Sequence, residues 1–363
     1  MRPVLRNAPQ NYAVPATLRF TGANAAKVQA LLGTSTPTLA ACLALWLKVL
    51  KAGKKKPKGY AAWEEVAKLV AGRVEKIYKE AAAGLIECIG EYCSYCESRI
   101  TGLLEVEHVL PKAQYPTFST DWDNFLFACS ACNIAKTDNP LRTTVLSWIS
   151  SKITNENQCL TAIRNRYRWP DTNADSYRAM PVELLFDQTN KGNWQSIALA
   201  DAADLGARLV SVDVATRTAR ADFPAIGLNG VRVIARVEPA VVIAQLNGKP
   251  VIITANSATE MIAHCGLNTT KSSRVAYDRR GLSRTRAWFG AVDTLRDLDQ
   301  CPTQADFNRV WRQVGKTAAA AGFFSVWVRV FSTATDKNGN PLDARFVNDF
   351  AADFPGTNPA SLP

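Results

Sequence analysis

Histidine is scarce in this chain. Only two occur in 363 residues, His108 and His264. Any chemistry that needs an imidazole must therefore run at one of two places. Long apolar runs are also lacking: none reaches the ~18 residues that a membrane-spanning helix requires. The longest candidate, Leu39 to Leu47, is too short. Positive charge follows it instead of preceding it, and no cleavage site comes after, so it does not read as a signal peptide. A buried helix is expected there, and a cytoplasmic protein. There is no internal repeat and no long low-complexity tract. Nine cysteines are too few and too scattered for a secreted disulfide scaffold in a chain of this length.

With 47% hydrophobic residues, the chain has ample material for a core and for about two domains. Its net charge of +11 is unevenly spread. Residues 1–90 carry 14 Lys and Arg against 5 Asp and Glu, residues 91–140 carry 3 against 7, and the remainder carries 26 against 20. An acidic island thus lies between basic flanks, as suits a carboxylate metal site held against phosphate. Residues 51–59, KAGKKKPKG, read as a solvated linker or a phosphate contact. Over 60–88, Val66, Leu69, Val70, Val74, Ile77 and Leu85 recur at helical spacing, with Lys68, Lys76 and Lys79 largely opposite. Residues 141–180 and 308–320 also read as helical. Val241–Leu246, Asn247-Gly248 and Val251–Thr254 read as a hairpin, because Asn-Gly supplies the positive φ of a tight turn. Phe324–Phe331 (FSVWVRVF) alternates like a strand.

Within the acidic island, Cys93/Cys96 and Cys129/Cys132 form two C-x-x-C pairs with 32 residues between them. Each pair makes a knuckle that offers two sulfurs, so four thiolates can close round one tetrahedral zinc. Such a site has no open position, so its ion would be structural. Cys42, Cys88, Cys159, Cys265 and Cys301 read as small core hydrophobes. Between the pairs lies Glu107-His108-Val109-Leu110-Pro111-Lys112. Neighbours in a regular strand point to opposite faces, so Glu107 and His108 can share one site only where the strand ends. An apolar strand, Phe125 to Ala128, follows Asn124. The second knuckle then opens a short helix with Asn133 in its first turn and Lys136 further along.

This order resembles the HNH nucleases, whose core is a ββα fold around one metal. Glu107-His108, Asn124 and Asn133 carry the resemblance, framed by the cysteine pairs over about fifty residues. It implies an α+β fold: an HNH core at 91–140 pinned by the four cysteines, a helical region at 1–90 and a mixed α/β region at 141–363. It implies a DNA endonuclease in which His108 is the general base, suited by an unperturbed pKa of ~6.5. Glu107 and Asn133 would hold a catalytic magnesium or manganese, and Asn124 would fix the loop and orient His108 through a backbone bond. Lys112 and Lys136 become candidate phosphate contacts or, equally, solvated surface. Glu stands where Asp is frequent in the family, and Asn133 where His also occurs. An oxygen ligand there suits magnesium better than zinc.

More loosely, Met1-Arg2-Pro3-Val4, the Tyr92–Glu97 block, Gly266-Leu267-Asn268 and Arg279-Arg280 are similar to bacterial HNH proteins linked to phage defence. That implies a defence or toxin nuclease. An unrestrained nuclease would damage its own host, so a control element is expected: a partner ATPase, an immunity protein or gating by the C-terminal region. Lys271, Arg274, Arg279, Arg280, Arg284 and Arg286 form a strip that reads either as a nucleic-acid track or as a solvated helix face. His264 reads as structural. Two other functions fit parts of the pattern: a zinc-stabilised nucleic-acid-binding or adaptor module without catalysis, and RNA cleavage by the same site.

Overall fold

In a computed structural model of the protein, three helices build the N-terminal region: α1 (Gly22–Leu32), α2 (Leu39–Ala52) and α3 (Tyr60–Ile89). The structure describes residues 1–4, 12–53, 56–102, 105–136, 156–187, 194–196, 230–236, 240–246, 249–269, 278–359 and 362. The Thr38 hydroxyl accepts from the Ala41 amide and caps α2. α3 buries Val66, Val70, Val74, Ile77 and Leu85, the face its spacing predicts. On its outer side Lys68 and Lys79 pair with Glu64 and Glu75 one turn back. Among the described residues no helix is long and apolar enough to cross a membrane.

Next come β1 (Glu105–His108), two single 3-10 turns at Pro116–Phe118 and Trp122–Asn124, β2 (Phe125–Ala128) and α4 (Ser130–Lys136). β1 and β2 are antiparallel, with Glu107 opposite Leu126 and His108 opposite Phe125. All four β2 residues are buried. Side chains alternate across a strand, and here the two faces join different cores. Phe125 and Phe127 pack with the N-terminal helices, while Leu126 and Ala128 join the core of the C-terminal half. A run apolar on both faces is therefore required at this strand.

The C-terminal half contains α5 (Glu156–Arg166), α6 (Ser176–Ala179), β3 (Val182–Asp187), β4 (Trp194–Ser196) and β5 (Val231–Val233), with β3 central in an antiparallel sheet. β6 (Ala240–Leu246) and β7 (Lys249–Ala255) form the predicted hairpin. Its turn residues Asn247 and Gly248 lie outside the described residues, as do 141–155 of the stretch predicted to be helical. α7 (Ala258–His264), α8 (Arg280–Asp299), α9 (Gln304–Ala321), α10 (Phe324–Phe331) and α11 (Leu342–Phe350) complete the chain.

α10 corrects the strand expected at 324–331. Every residue in it except Arg329 is buried. The valines at 326, 328 and 330 alternate as in a strand, but burial on nearly every side lets a helix carry apolar residues all round. Its two polar residues, Ser325 and Arg329, are four apart and bond to Glu97 and Glu183. Trp327, Phe331 and Phe346 form an aromatic contact between α10 and α11.

Candidate active site and metal centre

The sulfur atoms of Cys93, Cys96, Cys129 and Cys132 all lie within 4.8 Å of one another, and those of Cys96 and Cys129 are 3.7 Å apart. Ligands at the ~2.3 Å Zn–S distance on a tetrahedron stand about 3.8 Å apart, so the geometry suits one four-coordinate ion. The first knuckle is fixed by its own backbone. Cys93 N donates to Ser98 O at 2.9 Å, and Ser94 N to Phe127 O at 2.9 Å. Glu97 takes a left-handed φ of 66° there. Its buried carboxylate accepts from Arg2 N (2.7 Å), Ser325 N (2.8 Å) and Ser325 Oγ (2.7 Å), tying the knuckle to α10 and to the first residues.

Arg280 reaches the second knuckle from α8. Its Nη1 lies 3.0 Å from Cys132 Sγ and 2.8 Å from Cys265 O, and the guanidinium is held bidentately by Asp278. Burial pushes the Cys93 and Cys132 thiols well up from their ordinary value. A cation among them favours the thiolate form that binds a metal. The basic strip, read as either a nucleic-acid track or a solvated helix face, is thereby corrected at two positions. Arg280 and Arg284 are buried, and Arg284 donates to Leu267 O at 3.0 Å. Arg279 and Arg286 are exposed, and Lys271 and Arg274 lie outside the described residues. His264 is a core residue, stacked on Tyr167 with ring centroids 4.6 Å apart.

A cleft of about 220 Å³ opens beside the β1–α4 edge, lined by Glu107, His108, Lys112, Asn133 and Lys136 among others. Glu107 and His108 share it because β1 ends at His108. The imidazole is wedged edge-on between Tyr78 of α3 (4.8 Å between centroids) and Phe125 (5.2 Å). Its Nε2 stands 3.1 Å from the Ser119 carbonyl. A carbonyl only accepts, so Nε2 carries the proton and Nδ1 keeps the lone pair. Burial lowers the His108 pKa to about 3, so the ring is neutral at ordinary pH.

Asn124 is wholly buried and stitches the loop. Its Oδ1 accepts from Leu110 N at 2.7 Å, and its Nδ2 donates to Leu110 O and Phe118 O at 3.0 Å each. The ring of His108 is bonded to Ser119, next to Phe118, so His108 and Asn124 hold neighbouring carbonyls of one loop. Asn133 donates Nδ2 to Glu105 Oε2 at 3.0 Å. That bond fixes the amide and leaves its oxygen available. Lys112 contacts the Tyr78 hydroxyl and lies 4.2 Å over its ring.

Lys136 departs from the expected phosphate contact. It is buried, with Nζ 2.6 Å from Glu107 Oε1, 2.7 Å from His108 O and 3.3 Å from Val109 O. Burial raises the Glu107 pKa, and the Lys136 charge opposes that shift. No motif in the sequence marks Tyr78, Ser119 or Glu105. Tyr78 sits on another element among ordinary core positions, and Ser119 acts only through its backbone.

Residues 93–139 match the HNH endonuclease family model. The chain therefore carries an HNH endonuclease domain. Over 52 residues it is 42% identical to the Septu protein PtuB of Bacillus thuringiensis, a match that covers 14% of this chain and 20% of that protein. The chain thus matches about a fifth of the length of this curated relative. No solved structure matches it.

Proposed function

We propose that this protein is a metal-dependent DNA endonuclease of bacterial anti-phage defence, with its catalytic core at 91–140 between a helical region at 1–90 and an accessory region at 141–363. The observation that carries it is the cleft that joins Glu107, a neutral His108 and Asn133. A structural zinc on the four cysteines fits their spacing. The donors in the cleft are a carboxylate and an amide oxygen, the hard oxygen set that magnesium or manganese takes with water and phosphate.

Bound there, a divalent ion would stabilise negative charge on the reacting phosphate and the leaving oxygen. His108 Nδ1 takes a proton from the attacking water, while Ser119 O holds the ring through Nε2. The proton is later returned to solvent. Asn124 keeps the loop from shifting this geometry. Lys112, at the rim, faces the phosphate. Lys136 holds Glu107 ionised and in place from beneath.

The defence role rests on the similarity to the Septu protein, with a regulatory partner such as an ATPase or immunity protein as its corollary. A binding module without catalysis has no need of a buried carboxylate beside a neutral imidazole. Cleavage of RNA by the same residues is the second chemistry to assay.

Supercoiled plasmid and a labelled RNA are incubated with wild type and His108→Ala, with magnesium and with EDTA. Plasmid cutting that needs both His108 and metal is expected. Equal cutting by the folded His108→Ala protein removes His108 as the base. Cutting of RNA alone reassigns the substrate.

A further inference from the structure

Away from the cleft, residues 48–58 carry six lysines and no carboxylate. The turn between α2 and α3 forms an open groove of about 710 Å³ there. Leu47, Pro57 and Trp63 line its apolar side, and Lys48, Lys51 and Lys56 stand round it. Two of these ammonium groups sit against rings. Lys48 Nζ is 3.6 Å from the Trp63 centroid, and Lys56 Nζ is 4.8 Å from that of Tyr60. A cation resting on an aromatic face loses less freedom when an anion arrives than one waving in water. The Lys56 to Glu64 distance is 3.9 Å between exposed groups, too weak a pair to neutralise Lys56.

Helix α3 links this groove to the cleft. Trp63 begins its first turns, and Tyr78, fifteen residues on, touches His108. At 1.5 Å per residue the two are about 22 Å apart along the axis. Duplex DNA advances roughly 3.4 Å per base pair, so the separation corresponds to about six base pairs.

We infer that the α2–α3 groove is a second anchor for the phosphate backbone of the nucleic acid cut at His108, about six base pairs from the scissile bond. This rests on the nuclease reading above. The clustered cations fit a polyanion, and the shared helix favours the polyanion already at the cleft over an acidic protein surface. Binding there would be independent of sequence, because lysines on phosphates read charge and spacing only.

The test measures binding, not cutting. In a His108→Ala background, fluorescence anisotropy compares a duplex of roughly 30 base pairs with a hairpin whose stem of roughly 5 pairs cannot reach both places. Lys48→Ala/Lys51→Ala/Lys56→Ala is set against the unaltered lysines over a salt series. Losing three phosphate contacts should reduce the slope of log K against log salt by about 2 to 3. The long duplex should bind about tenfold or more weakly at moderate salt, with the hairpin unchanged. All three side chains are exposed, so the fold should survive, and an unchanged melting temperature and zinc content check this. Unchanged affinity and slope on the long duplex would hand the lysines to an acidic protein or to solvent, and overturn the inference. Equal loss on duplex and hairpin would overturn the remote placement. Failure of the unaltered-lysine protein to bind either nucleic acid would overturn the nuclease reading itself.

Discussion

Lys136 Nζ and Glu107 Oε1 form a 2.6 Å ion pair with both side chains all but sealed from solvent. The pair joins the last residue of α4 to β1, and the same ammonium bonds the His108 and Val109 carbonyls. Truncating one partner leaves a buried charge alone. Lys136→Met should cost about 3 to 5 kcal/mol by denaturant unfolding. The double variant Glu107→Gln/Lys136→Met should be more stable than Lys136→Met. Equal stability of all three proteins would mean that the pair is solvated in solution.

Arg280 should set how tightly the four-cysteine site keeps its ion. Partners of metal ligands typically contribute 10- to 100-fold in affinity. Arg280→Met should therefore lose zinc to a chelator at concentrations roughly ten- to a hundredfold lower than wild type. Cys129→Ser should lose the zinc and unfold the core, because metal binding supplies much of the folding energy of such modules. Metal analysis with circular dichroism separates the two outcomes.

Asn133 is expected to act on the catalytic metal alone. Asn133→Ala should keep its zinc and its melting temperature within about 1 °C, since the residue is partly exposed and surface changes are small. The magnesium concentration for half-maximal cleavage should rise, on the order of tenfold. A magnesium titration that overlays wild type would exclude it as a ligand.

Burial lowers the His108 pKa from its ordinary 6.5 to about 3. The folded state then binds fewer protons than the unfolded state between these values. Stability is fully present above about 6.5 and falls as pH drops towards 3. The limiting slope is ~1.4 kcal/mol per pH unit. His108→Asn removes this group, so the difference in stability between the two proteins should shrink on acidification from pH 6.5. A constant difference down to pH 4.5 would show an ordinary histidine pKa in the fold.

The nuclease core was legible because its chemistry is local in sequence. Two C-x-x-C pairs are read from spacing and α3 from its period, while the Glu-His step before Pro111 and the asparagines at 124 and 133 stand out through the resemblance to the HNH nucleases. Each depends on short-range geometry: knuckle turns, a strand end, the first turn of a helix. Residue type alone left Lys136 open, since a lysine near a metal motif reads equally as a phosphate contact or as solvated surface. Only the packing of α4 on β1 turned its charge inward to Glu107. The same holds for Arg280 and Arg284, which are drawn out of the apparent basic strip by bonds to Cys132 and Cys265 and to Leu267. Phe324–Phe331 alternates as a strand would, and the helix is favoured by packing that buries all of it but Arg329. The sequence determined which groups could ligate, and the tertiary structure decided which charges were buried, because burial depends on contacts between residues far apart in the chain.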